Sequence, residues 1–250
     1  MKITIITVSY NSADTIETTF KSLIDQTYDN IEYIVVDGGS TDGTLDLITK
    51  YSKHISQWVS EPDKGLYDAM NKGIAMATGD VIGLINSDDL FCDNNALEKV
   101  GNVFRKQPNL DSVYADLYYV SQQNTDKIVR HWITGSQRKF RNGWHPAHPT
   151  FYIKKEVYNK YGDFDLTYKL AADFEIMLRF LEKFSISTTY LKEPLVKMRL
   201  GGETNKSLNN ILKQNAECIR AFKKNDVSVS SFLYPILRIL PKLVQFVNKK

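Results

Sequence analysis

Two rhythms of apolar and polar positions alternate along the first half of the chain. Residues 3–9 are apolar and β-branched, as expected of a strand. After Asn11 and Ser12, which can cap a helix, Ile16, Phe20, Leu23 and Ile24 recur at three- and four-residue steps. Residues 31–37 form a second apolar run ending in Asp37, and a glycine-rich turn at 38–43 leads into a helix over 44–51. A shorter strand is expected at 55–60 and a loop at 61–65. Leu66, Met70, Ile74 and Ala77 then make the apolar stripe of a helix that Gly79 ends. Val81, Ile82, Leu84 and Ile85 predict a buried strand, and 95–106 a further helix. This alternation predicts an α/β fold with a parallel, doubly wound sheet. Right-handed crossovers then bring Tyr10, Asp37, Asp63 and the pair Asp88 and Asp89 to one sheet edge, the edge at which such sheets bind ligands.

The pattern changes after residue 110. Residues 112–116 predict another strand, and 117–121 with 128–133 a hairpin around the polar turn 122–126. The stretch 127–148 carries Lys127, Arg130, Arg138, Lys139 and Arg141, three of the four histidines and no acid; its part 135–143 reads as a mobile polar loop. A strand at 151–153, a short helix at 156–161 and a longer one at 171–183 follow, the last with Phe174, Met177, Leu178 and Leu181 at core spacing. Short strands are expected at 188–191 and 195–198, around Pro194, and an amphipathic helix at 207–224. In the tail, 231–250, a helix at about 100° per residue gathers Ser231, Arg238, Lys242, Gln245 and Lys249 into one stripe, with apolar residues nearly everywhere else. Pro235 and Pro241 would bend or break it, and it is short for a membrane span. Two readings stay open: a helix in the membrane interface with its basic stripe towards the headgroups, or one docked on the protein's own core or on a second subunit.

Composition adds limits. The 250 residues, 42% hydrophobic and 24% charged, suffice for one large α/β domain or two small ones. A formal charge of +3 is too small to argue for nucleic acid, and no such partner is expected. Cys92 and Cys218 are far apart and fit no metal spacing, which points to a reducing compartment without a disulfide. The first residues read as a strand and not as a secretion signal, and there is no apolar run of about eighteen residues.

The stretch 81–89 carries the clearest chemistry. Asp88 and Asp89 close a buried strand, with the small Ser87 before them. Two oxygen donors at that edge suit a hard divalent cation on a phosphate. The plainer role, capping the next helix, is compatible with it. A three-histidine metal site has no suitable spacing.

Five motifs in order carry a resemblance: Thr-Val-Ser-Tyr-Asn at 7–11, Val-Val-Asp-Gly-Gly-Ser-Thr-Asp-Gly-Thr at 35–44, the segment 61–80 beginning Glu-Pro-Asp-Lys-Gly, Ile-Asn-Ser-Asp-Asp-Leu at 85–90, and Leu-Ala-Ala-Asp-Phe-Glu at 170–175. Together they resemble family 2 glycosyltransferases, and more narrowly the bacterial enzymes that build O-antigen, capsule or colanic-acid units of surface polysaccharide and lipopolysaccharide. The resemblance implies a GT-A, Rossmann-like fold, with a mostly parallel central sheet flanked by helices and a C-terminal helical tail. It implies a catalytic domain at 1–205, divided into a nucleotide-sugar half (1–115) and an acceptor half (116–205), with 206–250 as C-terminal helices. The implied activity is metal-dependent, inverting transfer of a sugar, UDP-linked, to an acceptor on a polyprenyl diphosphate lipid. The implied place is cytoplasmic, peripheral at the inner face of the cell membrane. A divalent cation, Mn2+ or Mg2+, would offset charge on the departing diphosphate. Asp89 maps to its direct ligand, and Asp88 to the ribose or a metal-bound water. The catalytic base maps to Asp173, which can also cap its helix. Tyr10 would stack on the nucleobase; Asp63 and Asp68 flank the same crevice, with Asp63 the better placed for the donor.

Departures from the family pattern open further questions. Asp37-Gly38-Gly39-Ser40 stands where relatives often have Asp-Asp-Gly-Ser, so Asp37 either takes over base reading or only orients the loop. Met70 stands in place of a frequent arginine, leaving Lys64 or Lys72 as substitutes, and Ala172 replaces the acid before Asp173, with Glu175 following. A nucleotidyltransferase would need an early basic, glycine-rich phosphate loop, and 38–43 holds no Lys or Arg. A non-catalytic nucleotide-sugar-binding subunit would dispense with Asp173.

Overall fold

The computed structural model describes residues 1–201 and 207–238. Strands β1 (Ile3–Ser9), β2 (Ile31–Asp37), β3 (Gln57–Ser60) and β4 (Val81–Leu84) are mutually parallel, with β1 between β2 and β4. Helices α1 (Ile16–Ile24), α2 (Thr44–Lys50) and α3 (Leu66–Met76) connect them, as the alternating rhythm predicts. Side-chain alternation distributes the sheet's apolar groups to two layers. Ile3, Ile5, Tyr33 and Val35 meet Ile16, Phe20 and Leu23 of α1 and the buried side of α4 (Ala96–Lys106), whereas Ile6, Val8, Ile34 and Val36 meet α3 and the later helices.

The sheet continues beyond β4 with mixed polarity. After the short β5 (Leu90–Phe91) come β6 (Ser112–Val120), β7 (Ile128–Trp132), β8 (Tyr152–Lys154) and β9 (Thr188–Arg199), in the order β3-β2-β1-β4-β8-β6-β9-β5, with β7 also on β6. β8 is antiparallel to both β4 and β6, β6 and β9 are parallel, and β5 and β7 are antiparallel to their neighbours. Among the described residues, six of the nine strands therefore share one direction, so the sheet is mostly parallel. The hairpin 117–133 forms as expected, while 112–116 and 117–121 merge into β6. The two strands expected around Pro194 are one, β9. Pro194 falls beside the register shift at Ala115/Asp116, where a missing N–H breaks no ladder.

Two expectations are corrected. The part 135–143 is tied down: Phe140 is fully buried against Trp144 and Phe174, and its N–H meets Glu182. The helix at 171–183 is α6 (Ala172–Leu178) followed by a π turn over Arg179–Lys183. Between β8 and α6 lies α5 (Lys155–Tyr161). The helix α7 (Leu208–Lys224), capped by Ser207, shares the core with α6, and so does the helical turn 233–238. Cys218, Ala221, Phe222 and Tyr234 are buried there, and Phe222 and Tyr234 meet Phe174. Residues on both sides of the expected boundary near 205 therefore share one hydrophobic cluster. Of the tail stripe, Arg238 is buried and donates to Gln214 and Asn215, while Phe232, Leu233 and Ile236 are exposed. Ser231, of the same stripe, is exposed, and Lys242, Gln245 and Lys249 lie outside the described residues. Both cysteines are free, and among the described residues no helix is long and apolar enough to cross a membrane.

Candidate active site

The strand register brings Ser9, Asp37 and Ser60 side by side at the carboxyl ends of β1, β2 and β3. Asp37 is fully buried, and its carboxylate accepts from the Ser9, Ser40 and Ser60 hydroxyls and from the N–H groups of Gly39 and Ser40. Burial opposes its charge, but these donors outweigh it and hold its pKa below the usual 3.8. Of the two roles left open for Asp37, loop orientation is the one this geometry serves: its oxygens are already committed. The neighbouring loop is fixed to it, because Asn11 accepts from Thr41 N–H and donates its own N–H to Ser40.

Tyr10, by contrast, is 66% exposed at the mouth of the crevice. Asp63 stands beside it. A Cβ placed on Gly38 would lie 2.5 Å from Asp63 Oδ2 and 3.4 Å from the Tyr10 ring, so the Asp63 carboxylate fills the space where a side chain at position 38 would stand. Asp63 Oδ1 accepts from Gly65 N–H, which leaves Oδ2 on the side of the ring. Asp68 serves its own loop: it accepts from Lys64 N–H in the first turn of α3 and lies 4.0 Å from Lys72. Lys72 in turn pairs with Glu61 at 2.8 Å. Met70 is buried, as core packing predicts, but the buried stripe of α3 begins at Tyr67, and Leu66 faces outward.

The acidic loop after β4 is held from three sides. Thr19 donates to the carbonyls of Ser87 and Asp89, Ser12 and Ser87 share a hydroxyl bond, and Arg199 donates to the Asp88 carbonyl. Asp89 is almost wholly buried. Its Oδ2 accepts from Asn86, but Oδ1 has no partner, nor has Asn86 Oδ1. Burial, and then the charge of Asp88, push the Asp89 pKa well above 3.8; burial also raises Asp88. A buried oxygen without a donor, beside a second carboxylate, is a site in want of a cation. These residues fit a divalent metal whose other ligands come from water or a bound phosphate. No cluster of three or more His, Cys, Asp or Glu with metal-binding geometry occurs among the described residues.

Asp173 lies in the first turn of α6, partly exposed. Tyr67 donates to its Oδ1 at 3.3 Å, and His148 Nδ1 faces its Oδ2 at 3.5 Å. His148 is depressed below 6.5 by burial, while the charges of Asp173 and Asp88 pull the other way. One imidazole thus touches Asp173 and feels the charge of Asp88 from the loop after β4. Glu175 points away from it, buried and bonded to Arg179 and Asn225. In the basic stretch, Arg130 stacks on Tyr119, and Arg138, Lys139 and Arg141 face solvent.

Tyr67, Arg199 and His148 belong to this site although the pattern did not single them out for it. Tyr67 was legible: it stands three and seven residues before Met70 and Ile74. Arg199 and His148 arrive from strands and turns distant in sequence, and carry no local signal.

Residues 4–171 match the family described as glycosyl transferase family 2. An uncharacterised glycosyltransferase of Mycobacterium tuberculosis is 32% identical over 179 residues, covering 71% of this chain and 68% of its own. A PGL/p-HBAD biosynthesis glycosyltransferase of Mycobacterium bovis is 26% identical over 197 residues, covering 75% and 72%. Among solved structures, glucosyl-3-phosphoglycerate synthase from Mycobacterium tuberculosis, in complex with Mn2+, UDP and phosphoglyceric acid, superposes with a TM-score of 0.64 at 15% identity, over 92% of this chain and 80% of that one.

Proposed function

The chain belongs to glycosyl transferase family 2, with the GT-A fold, and from that premise we propose that this glycosyltransferase moves a sugar, with inversion, from a UDP-linked donor to a saccharide on a polyprenyl diphosphate lipid. The observation that supports this reading is the buried, unpartnered oxygen of Asp89 beside Asp88, together with His148, which touches Asp173 and feels the charge of Asp88. Leaving-group departure and acceptor deprotonation need two such groups, on opposite sides of the reacting carbon.

In the proposed reaction an acceptor hydroxyl attacks the anomeric carbon. Its proton passes to Asp173, and the bond to the diphosphate oxygen breaks, with the electron pair leaving on the nucleotide. Tyr67 and His148 keep the Asp173 carboxylate aimed. Mn2+ or Mg2+, held by Asp89 with Asp88 and the free Asn86 oxygen, would supply Lewis-acid neutralisation of the diphosphate charge. Tyr10 offers a face for the nucleobase, and Asp63 an acceptor for a ring N–H such as that of uracil. Support for a nucleotide donor and a divalent cation comes from the UDP and Mn2+ in the structure of glucosyl-3-phosphoglycerate synthase; support for a surface glycolipid product comes from the mycobacterial relative of PGL/p-HBAD biosynthesis.

We place the enzyme in the cytoplasm, peripheral at the inner face of the cell membrane, in bacterial surface-polysaccharide assembly. Phe232 at 79% and Leu233 at 53% exposure, followed in sequence by an apolar segment bearing Lys242, Lys249 and Lys250 without an acid, suit a lipid interface. The decisive experiment is turnover of a panel of nucleotide sugars with Mn2+ or Mg2+, in the wild type and in Asp173→Asn. One donor should be hydrolysed or transferred, and the variant should lose turnover while keeping nucleotide affinity. Equal rates in the two proteins would remove Asp173 as the base. Changing Phe232, Leu233 and Ile236 to Ser should release the protein from anionic vesicles; unchanged sedimentation with the vesicles would refute the lipid contact.

A further inference from the structure

The segment that delivers Asp173 is gripped along its length by α7. Lys224 pairs with Asp165. Arg220 donates to the Thr167 carbonyl at 2.8 Å and lies over the Tyr168 ring at 4.1 Å. Gln214 donates to the Leu170 carbonyl at 3.1 Å. Between them Glu217 accepts three successive backbone N–H groups, from Lys169, Leu170 and Ala171, at 2.8–3.1 Å. Residues 214, 217, 220 and 224 recur at helical three- and four-residue steps, so one face of α7 runs alongside 165–171 like a ruler. Ala171 is the residue that opens α6, and Asp173 follows it by two. The family match ends at residue 171, so this support comes from beyond the matched segment.

We infer that Glu217 is a positioning residue for Asp173: by fixing the N–H groups of residues 169–171 it sets the start of α6 and the aim of the carboxylate. The inference rests on the assignment of Asp173 as base. Its physical basis is that a carboxylate accepting several backbone N–H groups holds them in one arrangement, whereas an alanine leaves three donors to find water. A carboxylate misplaced by about 1 Å can lose about a hundredfold in rate without loss of substrate binding.

The test uses the full chain with Glu217→Ala and Glu217→Gln, and donor turnover measured with the nucleotide sugar that the panel identifies, in Mn2+. Glu217→Ala should lower kcat about ten- to a hundredfold, with KM for the donor and the Kd for UDP within twofold of wild type. Glu217→Gln retains an acceptor oxygen and should recover most of kcat. Hydrogen exchange should speed about tenfold at the amides of residues 169–171 in the alanine variant and stay unchanged in β1. Unaltered kcat, or a fall in kcat matched by a loss of UDP affinity, would overturn the positioning role in favour of none or of general destabilisation. Failure of the wild type to turn over any donor would instead strike the transferase reading, and it would be seen before any substitution.

Discussion

The imidazole of His148 and the carboxylate of Asp173 face each other at 3.5 Å, Nδ1 to Oδ2, with Asp88 close enough for its charge to reach the same ring. Burial keeps His148 neutral at pH 7, its pKa below 6.5. When the pH falls through that lowered value, a proton on His148 pairs with Asp173 and weakens it as a base. The rate should therefore show an acid limb below pH 6.5. In His148→Gln that limb should be displaced, with the plateau rate reduced about tenfold. A pH–rate profile that does not differ between the two proteins would exclude the contact from catalysis.

Asp89 should trade stability for function. Its raised pKa means that the folded state holds the proton more tightly than the unfolded chain, so without metal it costs stability as pH rises from about 4 through the raised value. Asp89→Asn removes that cost. In metal-free buffer at pH 7.5 its melting temperature should rise by about 2–4 °C, roughly 1 kcal/mol. The same variant should lose the Mn2+-dependent part of its UDP affinity. Calorimetry with and without Mn2+ checks both signs together.

Asp37 behaves in the opposite sense. Its pKa is lowered, so its contribution to stability is present above about pH 4 and fades as the pH drops through the lowered value. Asp37→Ala leaves five donors without their acceptor and should cost about 2–4 kcal/mol, with nucleotide affinity lost as the loop loosens. Urea unfolding at pH 7 measures the first effect. A variant as stable as the wild type would show that the serines find other partners.

Gly143 has φ +79, and a Cβ there would come within 2.4 Å of the Leu237 carbonyl oxygen. Gly143→Ala should therefore push the helical turn 233–238 off the body of the protein, at a cost of about 2–4 kcal/mol. Limited proteolysis should then cut between residues 225 and 238 sooner than in the wild type; equal protection would mean that the turn is held elsewhere.

Much of the first half was legible because its signals are local. β1, β2 and β4 are apolar runs, the helices between them carry apolar stripes, and parallel winding brings Tyr10, Asp63 and Asp88 to one edge. Asp37 was found by position, yet its role depended on Ser9 and Ser60, which only the strand register sets beside it. The second half was less legible because its order rests on contacts distant in sequence. Pro194 looked like an interruption until the bulge opposite Asp116 accommodated it. Phe140 made a polar stretch into an anchored one, and Arg238 turned inward because α7 offers it Gln214 and Asn215.

The packing of Tyr234 against Phe174 and Phe222 bears on how the protein can be handled at the bench. A chain trimmed where the recognisable motifs stop, near residue 205, would strip the cover from Phe174, the residue next to Asp173, and leave Glu175 without Asn225. Soluble fragments for crystallisation or assay should keep Tyr234, with exposed Phe232, Leu233 and Ile236 changed to polar residues. The unit that folds is longer than the unit that the motifs mark.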